Sequence, residues 1–512
     1  MHSQAKSKLA VRLTLFTALA IGLAYRVAWL GHVFHTSDNA ALAVRCVDNS
    51  GIAWSFTERY GLLNPLSVKL WSVFVSNVLG ANLTEFWFKL PVALVGTAQV
   101  WVSAAFARKL GASPIACGLI ALGTAVFPLH VMQSRYLWGY EVYGLMALCW
   151  VCWTLIDFFE QPSNKRSLLA GVATAIYLVS HGYIVPFFPS WILILGTLGG
   201  VGTLHLLRMY PAFWVVPTLY LPLTAAALEH TAEKKSQLGF YVIDYLEPML
   251  ANVGAPFALV TLLGAGTVLA NLKHAQLRVA AVLLTVSGLY MAPLLFGAKP
   301  GITVARGYML VGSYLGVFAS TLILDRSVRE MRSSVKTSLS QSVSVFGFVM
   351  VLATAWGAFQ SVFLGDKGFD PTWIRIERGR IPADPGSKVV GLYVREELPR
   401  SASVVVLHQN LERPNSRYYL GSDALAWNDK PTDELRAIGK QHLGRADVFV
   451  TSPIVAEGID FDGYELTLEV FSAGVRRAQI YARPELRLAK DRRHSEVWNE
   501  RFDERVVIRS EL

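Results

Sequence analysis

The chain has 512 residues, 53% of them hydrophobic and only 16% charged, with a mean hydropathy of +0.39 and a formal net charge of +10. Soluble domains carry about 25% charged residues, so the composition excludes a chain built only of soluble domains. Residues 1–363 hold 24 Lys+Arg against 13 Asp+Glu, while residues 364–512 hold 23 against 24; a nucleic-acid binder concentrates positive charge on its soluble part, so nucleic acid is excluded as a partner.

A spanning helix needs about 20 mostly apolar residues, because the hydrocarbon core is about 30 Å thick. Residues 9–33, 86–107, 112–130, 142–159, 167–182, 184–207, 211–229, 253–271, 277–296, 305–324 and 343–363 meet that requirement. The expected fold is a polytopic α-helical membrane protein of about 11 transmembrane helices over 1–363, followed by a small soluble α/β domain over 364–512. The first span has a basic flank, Lys6, Lys8 and Arg12, and no small-residue cleavage site follows it. It is also longer than a signal h-region and is read as a retained helix.

Between spans one and two lie residues 34–85. There Leu66, Leu70, Phe74 and Val78 recur at helical spacing, too briefly to span, which predicts an interfacial loop helix. The links after spans two, four, six, eight and ten are basic: Arg108 and Lys109, Lys165 and Arg166, Arg208, Lys273 and Arg278, then Arg326, Arg329, Arg332 and Lys336. With eleven spans these links share one face with the N-terminus, and the positive-inside rule makes that face the cytoplasm of a plasma (bacterial inner) membrane. The loops 34–85, 230–252 and 297–306 and the C-terminal domain are then extracytoplasmic. Cys149 and Cys152 have CxxC spacing inside an apolar segment and read as core packing rather than redox chemistry.

The C-terminal domain is expected from about Asp370-Pro371. Residues 403–408 and 446–451 read as strands, and 464–471 with 477–483 as a strand pair. Residues 433–442 read as a helix capped by Thr432. No phosphate loop, metal spacing or nucleophile elbow occurs there.

Ionisable groups at membrane depth are costly and invite a functional reading. Asp38 and Arg45 follow span one. Arg135, Tyr136 and Glu141 lie between spans three and four, His181 and Tyr183 between five and six, and Arg306 and Tyr308 at the start of ten. All fall on the extracytoplasmic face. Such a set suits group transfer from a lipid phosphate: Asp38 as general base, arginines holding the phosphate that leaves. Arg306, Arg135, Tyr308, Glu141, Arg45 and His181 are the expected donor-phosphate or substrate contacts. Each has a plainer reading: a cap for Asp38, snorkelling for Arg135 and Arg306, an ion pair for Glu141, packing for His181. Arg26, inside span one, reads as structural. One Asp, one Glu and one His leave a divalent cation open; no cofactor is otherwise expected.

The order of several motifs resembles the C-type (GT-C) membrane glycosyltransferases, in the branch of protein mannosyltransferases and aminoarabinose transferases. These motifs are Ser37-Asp38-Asn39-Ala40, Leu63-Asn64-Pro65-Leu66, Phe88-Lys89-Leu90-Pro91, Ala107-Arg108-Lys109-Leu110-Gly111, Gln133-Ser134-Arg135-Tyr136, Ser180-His181-Gly182-Tyr183 and Ala305-Arg306-Gly307-Tyr308. The resemblance covers roughly residues 10–325. It implies a polyprenyl-phosphate sugar as donor, inversion, and a lipid, glycan or protein acceptor. It also implies Asp38 as catalytic base and Arg306 as a donor-phosphate contact. The sequence departs from the family at Asn39, where many relatives have a second acid, and at Asn64, where some have lysine. Glu141 falls one residue later than the family's acid, at Tyr140. A transporter of lipid-linked sugars and a non-catalytic scaffold of polysaccharide assembly remain the alternatives; the chain lacks the internal repeat many transporters show.

Overall fold

The computed structural model describes residues 2–28, 30, 42, 43, 46, 61–137, 139–180, 205, 207–218, 257, 259–264, 278–297, 309–334, 387–408, 419, 425, 426, 430–472, 475–495, 509 and 510. Its helical part contains α1 (His2–Val27), α2 (Leu63–Asn77), α3 (Glu85–Lys109), α4 (Pro114–Val126), α5 (Pro128–Gln133), α6 (Tyr140–Glu160), α7 (Asn164–Ser180), α8 (Ala212–Thr218), α9 (Arg278–Gly297) and α10 (Met309–Ser334). Apart from α2 and α5, each falls on a predicted span. Among the described residues, α3 and α6 are long and apolar enough to cross a membrane by length and composition, and α4 is a shorter apolar helix. The predicted span 343–363, almost all of 184–207, and the loop 230–252 lie outside the described residues.

Two expectations need correction. The span over 112–130 is broken: α4 stops at Val126, Phe127 is extended, and α5 restarts at Pro128. Pro128 has no N–H to return to the Thr124 carbonyl four residues back, and its ring opposes a continuous helix there. The helix over 305–324 runs on to Ser334, so Arg326, Arg329 and Arg332 stand on a helix rather than in a link. Asp325 explains the extension. It pairs with Arg329 one turn on at 3.0 Å and accepts from the Ser113 N–H at 3.0 Å and from the Ser113 hydroxyl.

The links after spans two, four and six meet the end of α10 at one end of the bundle. Lys109 pairs with Asp157 (2.7 Å) and Glu160 (2.8 Å), Arg329 donates to the Gly111 carbonyl, and Ser167 donates to the Tyr210 carbonyl. Gly111 makes the turn there at φ +77°, a region that favours glycine. Ser113 then caps α4 by accepting from the Ala116 N–H, with Pro114 in the first turn. Between the two ends, Phe106 stacks on Phe318. The Tyr314 hydroxyl joins Thr124 and Ser103, and Gln99 donates to Ser103 and Cys149, so hydrogen bonds between buried polar groups link α3, α4, α6 and α10. Cys149 and Cys152 are buried free thiols, as a packing role requires.

Helix α2 is the loop helix expected from Leu66, Leu70, Phe74 and Val78. Those four side chains are exposed, while Asn64, Pro65, Val68, Ser72 and Val75 are buried against the protein. Its apolar stripe therefore points outward, the arrangement of a helix lying in an interface.

The C-terminal part contains α11 (Ser387–Glu397), β1 (Val404–Leu407), β2 (Leu425–Ala426), α12 (Thr432–His442), β3 (Val448–Thr451), α13 (Pro453–Ala456), β4 (Glu465–Ser472), β5 (Val475–Ala482), β6 (Asp491–Ser495) and β7 (Arg509–Ser510). The strands form one mixed sheet, ordered β2-β1-β3-β5-β4-β6-β7. β1 is parallel to β2 and β3, and the expected β4–β5 pair is antiparallel. Val404 and Val406 pack with α11, while Val405 and Leu407 pack with Leu435 of α12. Burial on both faces explains why this strand reads as an unbroken apolar run. The expected Thr432 cap is displaced: Thr432 is the first helical residue, and Pro431 occupies the capping position without a side-chain bond.

His408, just after β1, is buried, with Nε2 2.7 Å from the Arg477 carbonyl. The carbonyl accepts, so the proton sits on Nε2. Burial pushes its pKa down from 6.5 to about 4, partly opposed by that hydrogen bond. The unfolded chain therefore binds this proton first as pH falls. Stability is full above about 6.5 and drains away towards about 4, by an expected ~3 kcal/mol. Thermal melts of the purified protein between pH 7.5 and 4.5 should show this loss, and His408→Gln should flatten it; an unchanged slope removes the assignment.

Candidate active site

Asp38, Arg45, His181, Tyr183, Arg306 and Tyr308 lie outside the described residues. The described elements flanking them reach the end of the bundle opposite the basic links. α1 ends at Val27; there the Arg135 guanidinium donates from Nη1 to the carbonyls of Tyr25 (2.8 Å) and Ala28 (2.6 Å). These belong to the carbonyls that a helix end leaves without partners. Arg135, expected as a phosphate contact, thus ties the link after α5 to the end of α1, ten residues before Asp38.

The start of α2 is held at the same end. Asn64 donates to the Leu137 carbonyl at 3.1 Å, Ser67 bonds the Tyr143 hydroxyl at 2.6 Å, and the Leu62 N–H donates to the Val179 carbonyl at 2.7 Å. Val179 stands in the last turn of α7, two residues before His181. Lys69 of α2 donates to the Cys46 carbonyl at 2.7 Å, which fixes the chain just beyond Arg45. Burial pushes the Cys46 thiol up to about 11, although the Lys69 charge and Ser72 pull it the other way.

Glu141 is buried in the first turn of α6. Val142 and Tyr143, next to it in α6, share an apolar cluster with Tyr290 of α9 and Leu310 of α10. Tyr290 and Met291 pack against Gly312 in the first turn of α10, which begins one residue after Tyr308. The starts of α2, α6 and α10 and the ends of α1 and α7 are therefore gathered at one place. Tyr136 is buried beside them.

Residues without an assigned role in the sequence also stand here. Lys89 is fully buried in the second turn of α3. One turn further, Val92 stands against Gly139, where a Cβ would lie 2.3 Å from Val92 Cγ1; the next turn brings Gly96 against Ser134 and Arg26. Lys89 therefore shares the helix face that packs on the link before α6. A charge inside the Phe88-Lys89-Leu90-Pro91 motif was its only signal.

His130 carried no sequence signal. Its Nδ1 lies 2.6 Å from Arg26 Nη2, and Arg26 also donates to the carbonyls of Gly22 (2.8 Å), Ala125 (3.0 Å) and Thr124 (3.1 Å). Both side chains are completely buried. Arg26 is structural, as expected: it supplies the donor that Pro128 denies to Thr124. Among the described residues no group of three His, Cys, Asp or Glu side chains is placed to hold a metal ion.

No family model matches the chain, and no curated protein matches it. Among solved structures it is similar to the crystal structure of ArnT from Cupriavidus metallidurans bound to undecaprenyl phosphate. The TM-score is 0.57 at 13% identity, covering 92% of this chain and 97% of that one. The likeness spans both the helical part and the C-terminal domain and is one of fold.

Proposed function

Starting from a GT-C glycosyltransferase fold, we propose that this chain moves a sugar from a polyprenyl-phosphate-linked donor to an extracytoplasmic acceptor with inversion. The acceptor is a lipid, glycan or protein. The observation that carries the reading is the shared fold over 92% of the chain with a protein that binds undecaprenyl phosphate. The gathered helix ends described above support it further.

In this reading Asp38 takes the proton from the acceptor hydroxyl or amine while that atom attacks the sugar's anomeric carbon. The bond from that carbon to the phosphate oxygen breaks, and the polyprenyl phosphate leaves with the electron pair. Arg306 neutralises the charge growing on the phosphate, with Arg45, His181, Tyr308 and Glu141 around the donor headgroup. Lys89 joins them as a buried cation that takes over from the lysine some relatives carry where Asn64 stands. The donor's tail lies between helices, which explains a site at the edge of a membrane. The membrane is the cell's plasma membrane, with the basic links inside.

The test is release of free polyprenyl phosphate from a labelled lipid-linked sugar by the purified protein in nanodiscs. Movement of the intact donor across the bilayer without release would favour a transporter instead. Lys89→Met is expected to raise the donor KM at least tenfold with a smaller change in kcat; an unchanged KM removes Lys89 from the donor site.

A further inference from the structure

The first turn of α3 carries Glu85, which is buried at 7% exposure although it stands at a helix start. A carboxylate stripped of water needs partners, and both described here come from the C-terminal domain. Lys388 Nζ of α11 lies 3.1 Å from Glu85 Oε1, and the Tyr419 hydroxyl donates to the same oxygen at 3.0 Å. These two groups form one unit: a Cβ on Gly391, one turn along α11 from Lys388, would lie 2.3 Å from Tyr419 Cβ and 2.7 Å from its backbone. Glycine is needed there so that Tyr419 can seat against α11.

Tyr419 also belongs to an apolar cluster of Leu42, Ala43, Cys46, Val68, Phe88, Leu137 and Tyr140. Those residues come from the first loop, α2, α3, the link after α5, and α6. One tyrosine of the C-terminal domain thus touches the group of elements that flanks the candidate site, and one buried acid holds it there. Phe88 lies one turn from Glu85, so the ion pair and the apolar contact share one helix face.

We propose that Glu85, Lys388 and Tyr419 form a latch through which the C-terminal domain positions the first loop and the start of α6 for the transfer reaction. This rests on the proposed function for its catalytic consequence and on geometry alone for the latch itself. Glu85, Lys388 and Tyr419 are positioning residues: they act on the segments beside Asp38 and Glu141 and do not touch the donor. Without the latch the cluster opens to water on the side of Cys46, whose thiol is otherwise shielded.

Cys46 therefore reports the latch in the full-length protein. In nanodiscs, Glu85→Lys and Lys388→Glu should each raise labelling of Cys46 by a water-soluble maleimide at least tenfold, read by peptide mass spectrometry. The double swap should bring it back near the wild-type rate. Gly391→Val, which unseats Tyr419 without altering charge, should act like the single swaps. In the transfer assay the single swaps should lower kcat at least tenfold with the donor KM little changed, and the double swap should recover most of it. Cys149 and Cys152, buried in the bundle, are the control; a variant in which they also label has unfolded. Tyr419→Phe, which removes one hydroxyl, then decides by a smaller rise in Cys46 labelling. Unchanged Cys46 labelling, a double swap that labels as fast as the singles, or faster labelling with wild-type kcat overturns the latch. A wild type that releases no polyprenyl phosphate overturns the transferase reading and leaves the labelling result standing.

Discussion

Replacing Asp38 by asparagine is expected to lower sugar transfer by two to four orders of magnitude, the usual contribution of a positioned general base. Asparagine keeps the size and the hydrogen-bonding reach of the side chain but cannot accept the acceptor's proton. The loss should therefore appear in kcat, with the donor KM close to that of the wild type. Asp38→Glu should restore part of the rate, because the base is kept and only its distance changes. The measurement is formation of free polyprenyl phosphate from a labelled donor, under saturating acceptor. Wild-type turnover in Asp38→Asn would remove the base from the mechanism, and with it the reason for placing the chemistry after the first helix.

Arg26→Met is expected to destabilise the helical part by several kcal/mol, at about 1–3 kcal/mol for each buried acceptor it leaves unmet. The methionine roughly fills the space but leaves the Thr124 and Ala125 carbonyls and His130 Nδ1 without the donor they share. Each buried polar atom left unmet carries its own desolvation cost. Lysine is no remedy, because one ammonium cannot reproduce the fork that spans two carbonyls and a ring nitrogen. Pro128 creates the need for that donor, and a double-mutant cycle checks the dependence. Pro128→Ala supplies an N–H that can return to Thr124 as the helix closes, so Arg26→Met should be less harmful in that background. Thermal stability and yield of folded protein in detergent are the readouts. Equal damage in both backgrounds would break the link between the arginine and the proline.

Much of the fold could be read in advance for a simple reason. A helix that crosses lipid must satisfy its backbone within itself and be long enough to do so, so its apolar run announces both its type and its place. α3, α6 and α7 follow their predicted spans closely, and the doubly buried β1 appears as a run of valines. The misreadings arose where a local event interrupted the run. Pro128 cut one helix, and the pairing of Asp325 with Ser113 and Arg329 carried another past its apolar end.

The candidate site was legible to a different degree. The ionisable residues expected at one membrane face stand out because charge there is expensive, and most of them, Asp38 and Arg306 included, lie outside the described residues. Lys89 lay in plain view inside a motif, yet only its burial gives it weight. His130 looked like any histidine near a helix end. Glu85 looked like a favourable acid in a first helical turn, and neither Lys388 nor Tyr419 carried a mark, because their partner stands some 300 residues away.

By itself, then, the sequence determined the type and the positions of most described helices and strands. Each of these follows from how a short stretch of side chains partitions between lipid, water and a neighbouring backbone. The tertiary structure alone decided that Arg26 stands in for the N–H missing at Pro128, that Arg135 closes the end of α1, and that the C-terminal domain is tied to α3 through Glu85. Those are pairings between groups far apart in the chain. Hydrogen bonds and ion pairs depend on distances of about 3 Å, and only packing brings such distances about.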